Sequence, residues 1–398
     1  MVVKGLKKNS ITKLSIMLLF VVFFAFSNNS LMKIGAQVLF LACAAIKIVL
    51  SPQISKSRYY LWALGWVALC FVSSIWAYNK SSAIVYSSSV FEAILFSVLL
   101  LVTYEKTDIE LSWIEDCLIV AGIVMVLVAL QATPIASLGR ERFGERAGMH
   151  PNTVSNNLLF VEIIVFNRFI KNRDKKTGVL YLLLAFVFIL FNFCTASKKG
   201  LFIGIIIPVV VWLCYDKSIS KKLRNIVLIV IAGIAFLAVL SQYSDFTSEL
   251  VRRTTMFTNM FSGGNSDDMS TAGRLALYRD AWEIFLNNPI LGVGLDSFRY
   301  VNTGFMAGFY AHCNYTELLA DLGIVGFSVY YSLMGSMLLE LRKRIKKGDR
   351  ESILFLSLCG TIILLDIAQV SYYNEITQML IVYIFIFLER QRKIAQSD

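Results

Sequence analysis

Apolar runs of about twenty residues, nearly free of charge, recur from one end of this 398-residue chain to the other. No other feature limits its fold so strongly. A helix needs about 20 residues to cross the hydrocarbon core of a bilayer, where every backbone amide must be paired within the protein. Hydrophobic residues make up 57% of the sequence and charged residues only 16%. Soluble domains built from such a chain would lack the polar groups to cover their surface, so the composition excludes a soluble enzyme. The expected fold class is an all-α polytopic membrane protein with about twelve transmembrane helices and one large extracytoplasmic loop containing amphipathic helices. Candidate spans fall at 11–27, 31–50, 60–77, 84–103, 114–131, 154–170, 178–196, 200–215, 225–241, 317–341, 352–371 and 376–390. The chain then divides into helices one to nine (1–241), the loop (242–316) and helices ten to twelve with a cytoplasmic C-terminus (317–398). The first apolar run follows Lys4, Lys7 and Lys8 but lacks a convincing small-residue cleavage site, so it reads as an uncleaved helix.

The formal charge is +11, from 38 Lys and Arg against 27 Asp and Glu. The basic residues sit in bursts between apolar runs, as at Arg342 to Lys347, without the aromatic-interleaved stripe of a nucleic-acid surface. Their excess is better explained by membrane orientation. With the N-terminus in the cytoplasm, most of them fall on inner connections, as the positive-inside tendency requires. The exceptions lie outside: Lys33, Lys80, then Arg140, Arg142 and Arg146, then Lys198 and Lys199, then Arg252, Arg253, Arg274, Arg279 and Arg299. An anionic ligand at the outer surface would account for these groups. The seven cysteines lie mostly inside apolar runs and form neither a disulfide framework nor a metal-ligand spacing.

The stretch 242–316 is the only polar segment long enough to fold over the membrane. It passes through the turn Ser262, Gly263, Gly264, Asn265 and continues as a helix from Thr271 to Leu286. Leu275, Tyr278, Trp282 and Phe285 give that helix an apolar face at the membrane interface. Asn288 and Pro289, then Gly292 and Gly294, end it in a turn.

Only two histidines occur, His150 and His312, both expected outside. His312 opens a helix on which Thr316, Leu319 and Gly323 share its face, the glycine admitting a neighbouring helix. An imidazole there serves either as an interfacial or capping residue or as a proton acceptor. Arg274 is either a solvated surface arginine or a guanidinium placed over the bundle, where bidentate phosphate recognition is its strongest chemistry. Lys198 and Lys199 lie in the short turn Ser197–Lys198–Lys199–Gly200, where lysines either snorkel to lipid phosphates or bind an anion. Arg142 and Arg146 precede a helix start at Pro151 and could reach the same anion. Asp267 and Asp268 lie in a flexible turn, and no metal site is expected.

Three motifs together resemble the bacterial O-antigen ligase and polymerase family. The first runs from Gly273 to Gly326: Gly-Arg-Leu-Ala-Leu-Tyr, then Asn-Pro-Ile-Leu-Gly-Val-Gly, then Ala-His-Cys-Asn-Tyr-Thr-Glu-Leu-Leu-Ala-Asp-Leu-Gly-Ile-Val-Gly. The second is Arg146 to Asn152, and the third the turn from Ser197 to Gly200. Lys198 stands where that family usually has arginine, and Cys313 where it commonly has Asn or Ser. The resemblance implies transfer of an oligosaccharide from a polyprenyl-diphosphate carrier to a glycan hydroxyl, at the outer face of the bacterial plasma membrane, without metal or other cofactor. It implies His312 as base and Arg274 as its catalytic companion, with Lys198, Arg146, Lys199 and Arg142 binding substrate. The expected partners are the lipid-linked donor, the glycan acceptor, the bilayer and other polysaccharide-export proteins, with no nucleic acid. The expected activity is polymerisation of repeat units of a capsular or O-antigen polysaccharide. Ligation of a finished glycan is the alternative with the same chemistry, and a lipid-linked glycan transporter or flippase the alternative of another class.

Overall fold

The computed structural model describes residues 2–53, 56–134, 141–172, 175–215 and 269–397, with isolated positions 218, 220 and 224. The expected ninth span, 225–241, lies outside the described residues. So do Arg140, Arg252, Arg253, Asp267, Asp268 and the turn from Ser262 to Asn265.

Among the described residues every regular element is a helix. In chain order these are α1 (Val2–Ala25), α2 (Ser30–Leu50), α3 (Arg58–Ser73), α4 (Lys80–Glu105), α5 (Leu111–Ala132), α6 (Pro151–Lys171), α7 (Lys176–Cys194) and α8 (Lys198–Tyr215). They continue as α9 (Met269–Asn287), α10 (Phe298–Val301), α11 (Asn314–Lys346), α12 (Glu351–Leu365) and α13 (Glu375–Ser397). Local chemistry sets several starts. Asn29 and Asn79 accept the amides of Met32 and Ser82 at 3.1 and 3.0 Å, pairing donors that the first helical turn leaves open. Pro151 begins α6, where its missing amide costs nothing.

Each expected span except the ninth coincides with a helix, but the helices are unequal. Among the described residues seven (α2, α4, α5, α6, α7, α8 and α11) are long and apolar enough to cross a bilayer. The apolar part of α1 is shorter, Asn9–Ala25, and α3 and α12 have 16 and 15 residues. Length and composition thus carry seven of the roughly twelve expected spans among the described residues. The expected eleventh span, 352–371, stops at Leu365 because the chain turns into the polar run Asp366–Asn374.

The lateral surface is inverted relative to a soluble protein. Leu31 and Leu61 are 82% and 74% exposed, and Leu64, Val49 and Leu180 also face outward. Such a surface is stable against lipid tails. Inside, Tyr59, Trp66, Tyr330 and Phe385 are fully buried and pack as tilted aromatic pairs.

The two ends of the bundle differ. At one, Arg168 binds Glu115 at 2.7 Å and also pairs with Asp116, while Glu340 gathers Arg58 and Arg392. All these arginines belong to the expected inner connections. At the other end the turns between α1 and α2, α7 and α8, and α12 and α13 meet the chain before α6 and the segment from α9 to α11.

That segment holds the least regular part of the fold. Gly323 interrupts α11 with φ 61° and ψ −164°, a conformation that L side chains rarely adopt. The turn after α9 repairs the break. Val293 and Gly294 donate their amides to the carbonyls of Ala320 and Asp321 at 3.0 and 2.7 Å. Below the break, Ile324 and Val325 donate to the carbonyls of Pro289 and Ile290 at 2.9 and 3.3 Å. A Cβ at Gly292 would come within 2.3 Å of the Asp321 backbone, and one at Gly323 within 2.3 Å of the Ile290 carbonyl. Asp321 completes the joint, accepting the amides of Asp296 and Phe298 at 2.7 Å each.

Two expectations need correction here. His312 does not open α11, which begins at Asn314. Instead His312 sits in left-handed backbone (φ 55°), so the helical face shared with Thr316 and Gly323 does not exist. Gly323 admits the turn after α9 rather than another helix. The face of α9 buried against the protein is formed by Gly273, Leu277 and Ala281, four residues apart, packed against Phe298, Ala311 and Ala320. Leu275, Trp282 and Leu286 are exposed. The expected apolar face is thus largely the outward one, suited to a membrane interface.

Candidate active site

Five segments converge at the end of the bundle opposite the Glu340 cluster. The turn 195–197 and the start of α8 supply Lys199. Ser197 accepts the amide of Gly200 at 3.3 Å and so caps α8. Gly200 is required because a Cβ there would fall 1.8 Å from the Ser155 hydroxyl oxygen on α6. This fixes the phase of α8: Lys198 is exposed, while Lys199 is half-buried and donates to the Gln369 side chain at 3.1 Å and to the Ala368 carbonyl at 3.4 Å.

The run 366–372, between α12 and α13, is the floor of the site. Asn314, two residues after His312, clamps to it: its amide donates to the Asp366 carbonyl at 2.8 Å, and its side-chain oxygen accepts the amides of Ser371 and Tyr372 at 2.9 and 3.2 Å. Its side-chain nitrogen donates to the Tyr331 hydroxyl at 2.8 Å, which in turn donates to Asp366 at 2.8 Å. From above, Tyr278 of α9 donates its hydroxyl to the Ile367 carbonyl at 2.8 Å. The same floor thus registers Lys199, His312 and the helix that carries Arg274.

The result is a cluster of cationic and imidazole groups. His312 feels Arg274, Lys199 and His150, and Lys199 feels Arg274. Burial, then the electrostatic effect of Arg274, Lys199 and His150, holds the His312 imidazole down at about 4, so it is neutral at ordinary pH. His150 is lowered by burial and by Arg142 and Lys199. Tyr278 is pushed up to about 12, chiefly by burial, and stays a neutral phenol.

The outer cations now separate by partner. Lys33 is held by Glu375 at 2.6 Å and Glu92 at 3.2 Å, and Arg299 by Asp296 at 2.5 Å. Arg146, 46% exposed at its side chain, pairs with Glu141. Arg142 donates to the Thr195 carbonyl at 3.1 Å and to Asn152 at 2.9 Å, tying the loop before α6 to the α7–α8 turn. Among the described residues neither Arg274 nor Lys199 has a carboxylate in ion-pair contact. The structure therefore brings His312, Arg274 and Lys199 together and adds His150, with Arg142 at its edge. Lys198 is exposed, and Arg146 is paired with Glu141.

Sequence reasoning missed Asn314, Gln369, Tyr278 and the tyrosines beside His312. One signal was present for the floor: the polar run from Asp366 to Asn374 interrupts an otherwise apolar stretch.

Many apolar helices carrying a polar, cation-rich cluster at one end describe a multi-pass membrane protein. Residues 180–331, from α7 to the middle of α11, match the family model described as O-antigen ligase, so over this region the chain is similar to the O-antigen ligase and polymerase family. The matched region contains Lys199, Arg274, the turn at Gly292, His312 and the break at Gly323. No curated protein matches the chain.

Proposed function

We propose that this protein extends a surface polysaccharide, transferring an oligosaccharide from a polyprenyl-diphosphate carrier to a hydroxyl of a glycan acceptor at the extracytoplasmic face of the bacterial plasma membrane. The observation that carries this reading is the convergence of Arg274 and Lys199, two cations without a carboxylate partner among the described residues, on a neutral imidazole.

The acceptor oxygen attacks the anomeric carbon of the donor sugar. The bond from that carbon to the diphosphate breaks, and its electron pair leaves on the diphosphate oxygen. Arg274 and Lys199 stabilise the charge that grows there, an effect that strengthens as bound substrate displaces water. The guanidinium can grip two phosphate oxygens in parallel, while the ammonium acts as a point charge. The acceptor proton passes to His312. In the free protein the neighbouring cations make His312 a weak base. A bound diphosphate offsets those charges, so His312 gains basicity once the donor is in place.

The test is reconstitution. Purified protein in liposomes, given a polyprenyl-diphosphate oligosaccharide, should yield longer lipid-linked chains and free carrier diphosphate. Release of carrier without chain growth, with glycan appearing on a different added acceptor, would make the protein a ligase. No carrier release with any acceptor would end the proposal.

A further inference from the structure

Besides the cations assigned above to the donor diphosphate, His312 has an aromatic neighbour: the Tyr310 ring lies 3.9 Å from the His312 ring, centre to centre, tilted by 42°. Beyond it, Tyr86 of α4 and Tyr373 meet edge to face at 5.4 Å. The Arg299 guanidinium sits 5.1 Å from the Tyr86 ring centre and 5.8 Å from that of Tyr310. Its charge is already taken by Asp296.

All three tyrosines are half-buried, each presenting part of its surface. Tyr86 accepts a hydrogen bond from Arg299 at 3.1 Å. The hydroxyls of Tyr310 and Tyr373 have no hydrogen-bond partner among the described residues. Buried tyrosines normally satisfy that group, so partly exposed rings with open hydroxyls mark a surface apolar in its body and polar at its tips. A sugar ring has the complementary surface, with C–H faces to lie on aromatic carbon and hydroxyls at its rim.

Three separate elements hold this surface in place. Arg299 is fixed by the start of α10, Tyr373 follows the floor clamped by Asn314, and Tyr310 precedes Ala311, whose amide is bonded to Glu317.

We propose that Tyr310, with Tyr86 and Tyr373, forms the platform on which a sugar ring of the acceptor glycan rests, presenting its hydroxyl to His312. This assignment rests on the functional reading above and deepens it, because a base must lie beside the hydroxyl it deprotonates. The diphosphate lies against Arg274 and Lys199, and the acceptor sugar against the tyrosine rings.

The experiment uses the full chain in lipid nanodiscs and three probes: inorganic diphosphate, intact lipid-linked donor, and the repeat-unit oligosaccharide freed from its carrier. Binding of the free oligosaccharide is followed by saturation-transfer NMR. Tyr310→Leu and Tyr373→Leu should each weaken it about tenfold, whereas Tyr310→Phe, which keeps the ring, should weaken it only about threefold. Affinity for inorganic diphosphate should stay within about twofold in all three variants. Unchanged oligosaccharide affinity in both leucine variants would overturn the platform, as would failure of the wild-type protein to bind the oligosaccharide. A variant that weakens the intact donor and spares the free oligosaccharide would move the tyrosines to the donor and overturn the acceptor assignment. Failure of the wild-type protein to bind diphosphate would instead remove the functional reading, and is read on a separate probe. Because Tyr310 and Tyr373 stand on different elements, misfolding of one leucine variant leaves the other, and the phenylalanine variant, to decide.

Discussion

Burial and the neighbouring Arg274, Lys199 and His150 hold His312 neutral, and this has a direction that can be measured. Because its folded value lies near 4, below the ordinary 6.5, the neutral form is favoured by the fold. The stability it contributes is complete above pH 6.5 and is lost as pH falls from there towards 4. Replacement of His312 by Gln should flatten that part of the stability profile, read as thermal midpoint against pH in detergent. Activity should follow a related rule. For the free protein the acid limb of kcat/KM should lie well below pH 6.5, and the limb of kcat should lie higher, since bound diphosphate offsets Arg274 and Lys199. Arg274→Ala should move the kcat/KM limb upward. A limb that stays put in that variant would separate His312 from Arg274 and count against the cradle. The cations themselves should be unequal: Arg274→Ala and Lys199→Ala should each slow transfer by about 10²–10³, the range for removing one charge-stabilising group from a closed site. Arg146→Ala, already neutralised by Glu141, and Lys198→Ala should change the rate by no more than a few-fold. Equal losses across all four would mean that the whole basic rim acts as a diffuse attractor.

At the scale of elements, the helices were legible because a bilayer demands long apolar runs, and almost every run became a helix. The candidate site was legible in part. His312, Arg274 and the lysine turn were found from residue type and position, but the choice of Lys199 over Lys198 depends on the phase set by the Ser197 cap and by Gly200 against Ser155. Composition cannot carry that choice. Nor does the sequence tell which outer cations are neutralised, since Glu375 for Lys33 comes from a distant helix. The break in α11 was hidden for a similar reason: residues 314–323 read as continuous helix, and the groups that satisfy the broken backbone lie in the turn after α9. That joint gives a sharp test within one helix. Gly323→Ala forces a left-handed conformation on alanine and drives its Cβ into the Ile290 carbonyl, so it should cost at least about 2–3 kcal/mol or abolish folded protein. Gly335→Ala, twelve residues on in the same helix, meets nothing within 4 Å and should be tolerated. Thermal unfolding of the two variants in one detergent makes the comparison; similar midpoints would show that the turn does not bind the break.

For the whole molecule, energy supply and charge distribution point the same way. The inner-type end is a network of compensated pairs, Arg168 with Glu115 and Asp116, and Arg58 and Arg392 with Glu340. At the other end Arg274 and Lys199 have no carboxylate in ion-pair contact among the described residues, against the orienting tendency of basic residues, and the proposed diphosphate would account for their retention. A carrier-bound donor brings its leaving group with it and needs no soluble activated sugar, which suits a site outside the cell. The assignment of sides is open to a direct measurement. Cysteines placed at Ser27 and Thr303, exposed at the site end, should react with a membrane-impermeant maleimide in intact spheroplasts once the exposed native Cys214 has been replaced. A cysteine at Lys347, at the far end of α11, should react only after the membrane is permeabilised. The reverse pattern would place Arg274, Lys199 and His312 in the cytoplasm, where the imbalance of the positive-inside tendency no longer needs an anion to explain it. The diphosphate cradle would then lose the argument from charge and stand on geometry alone.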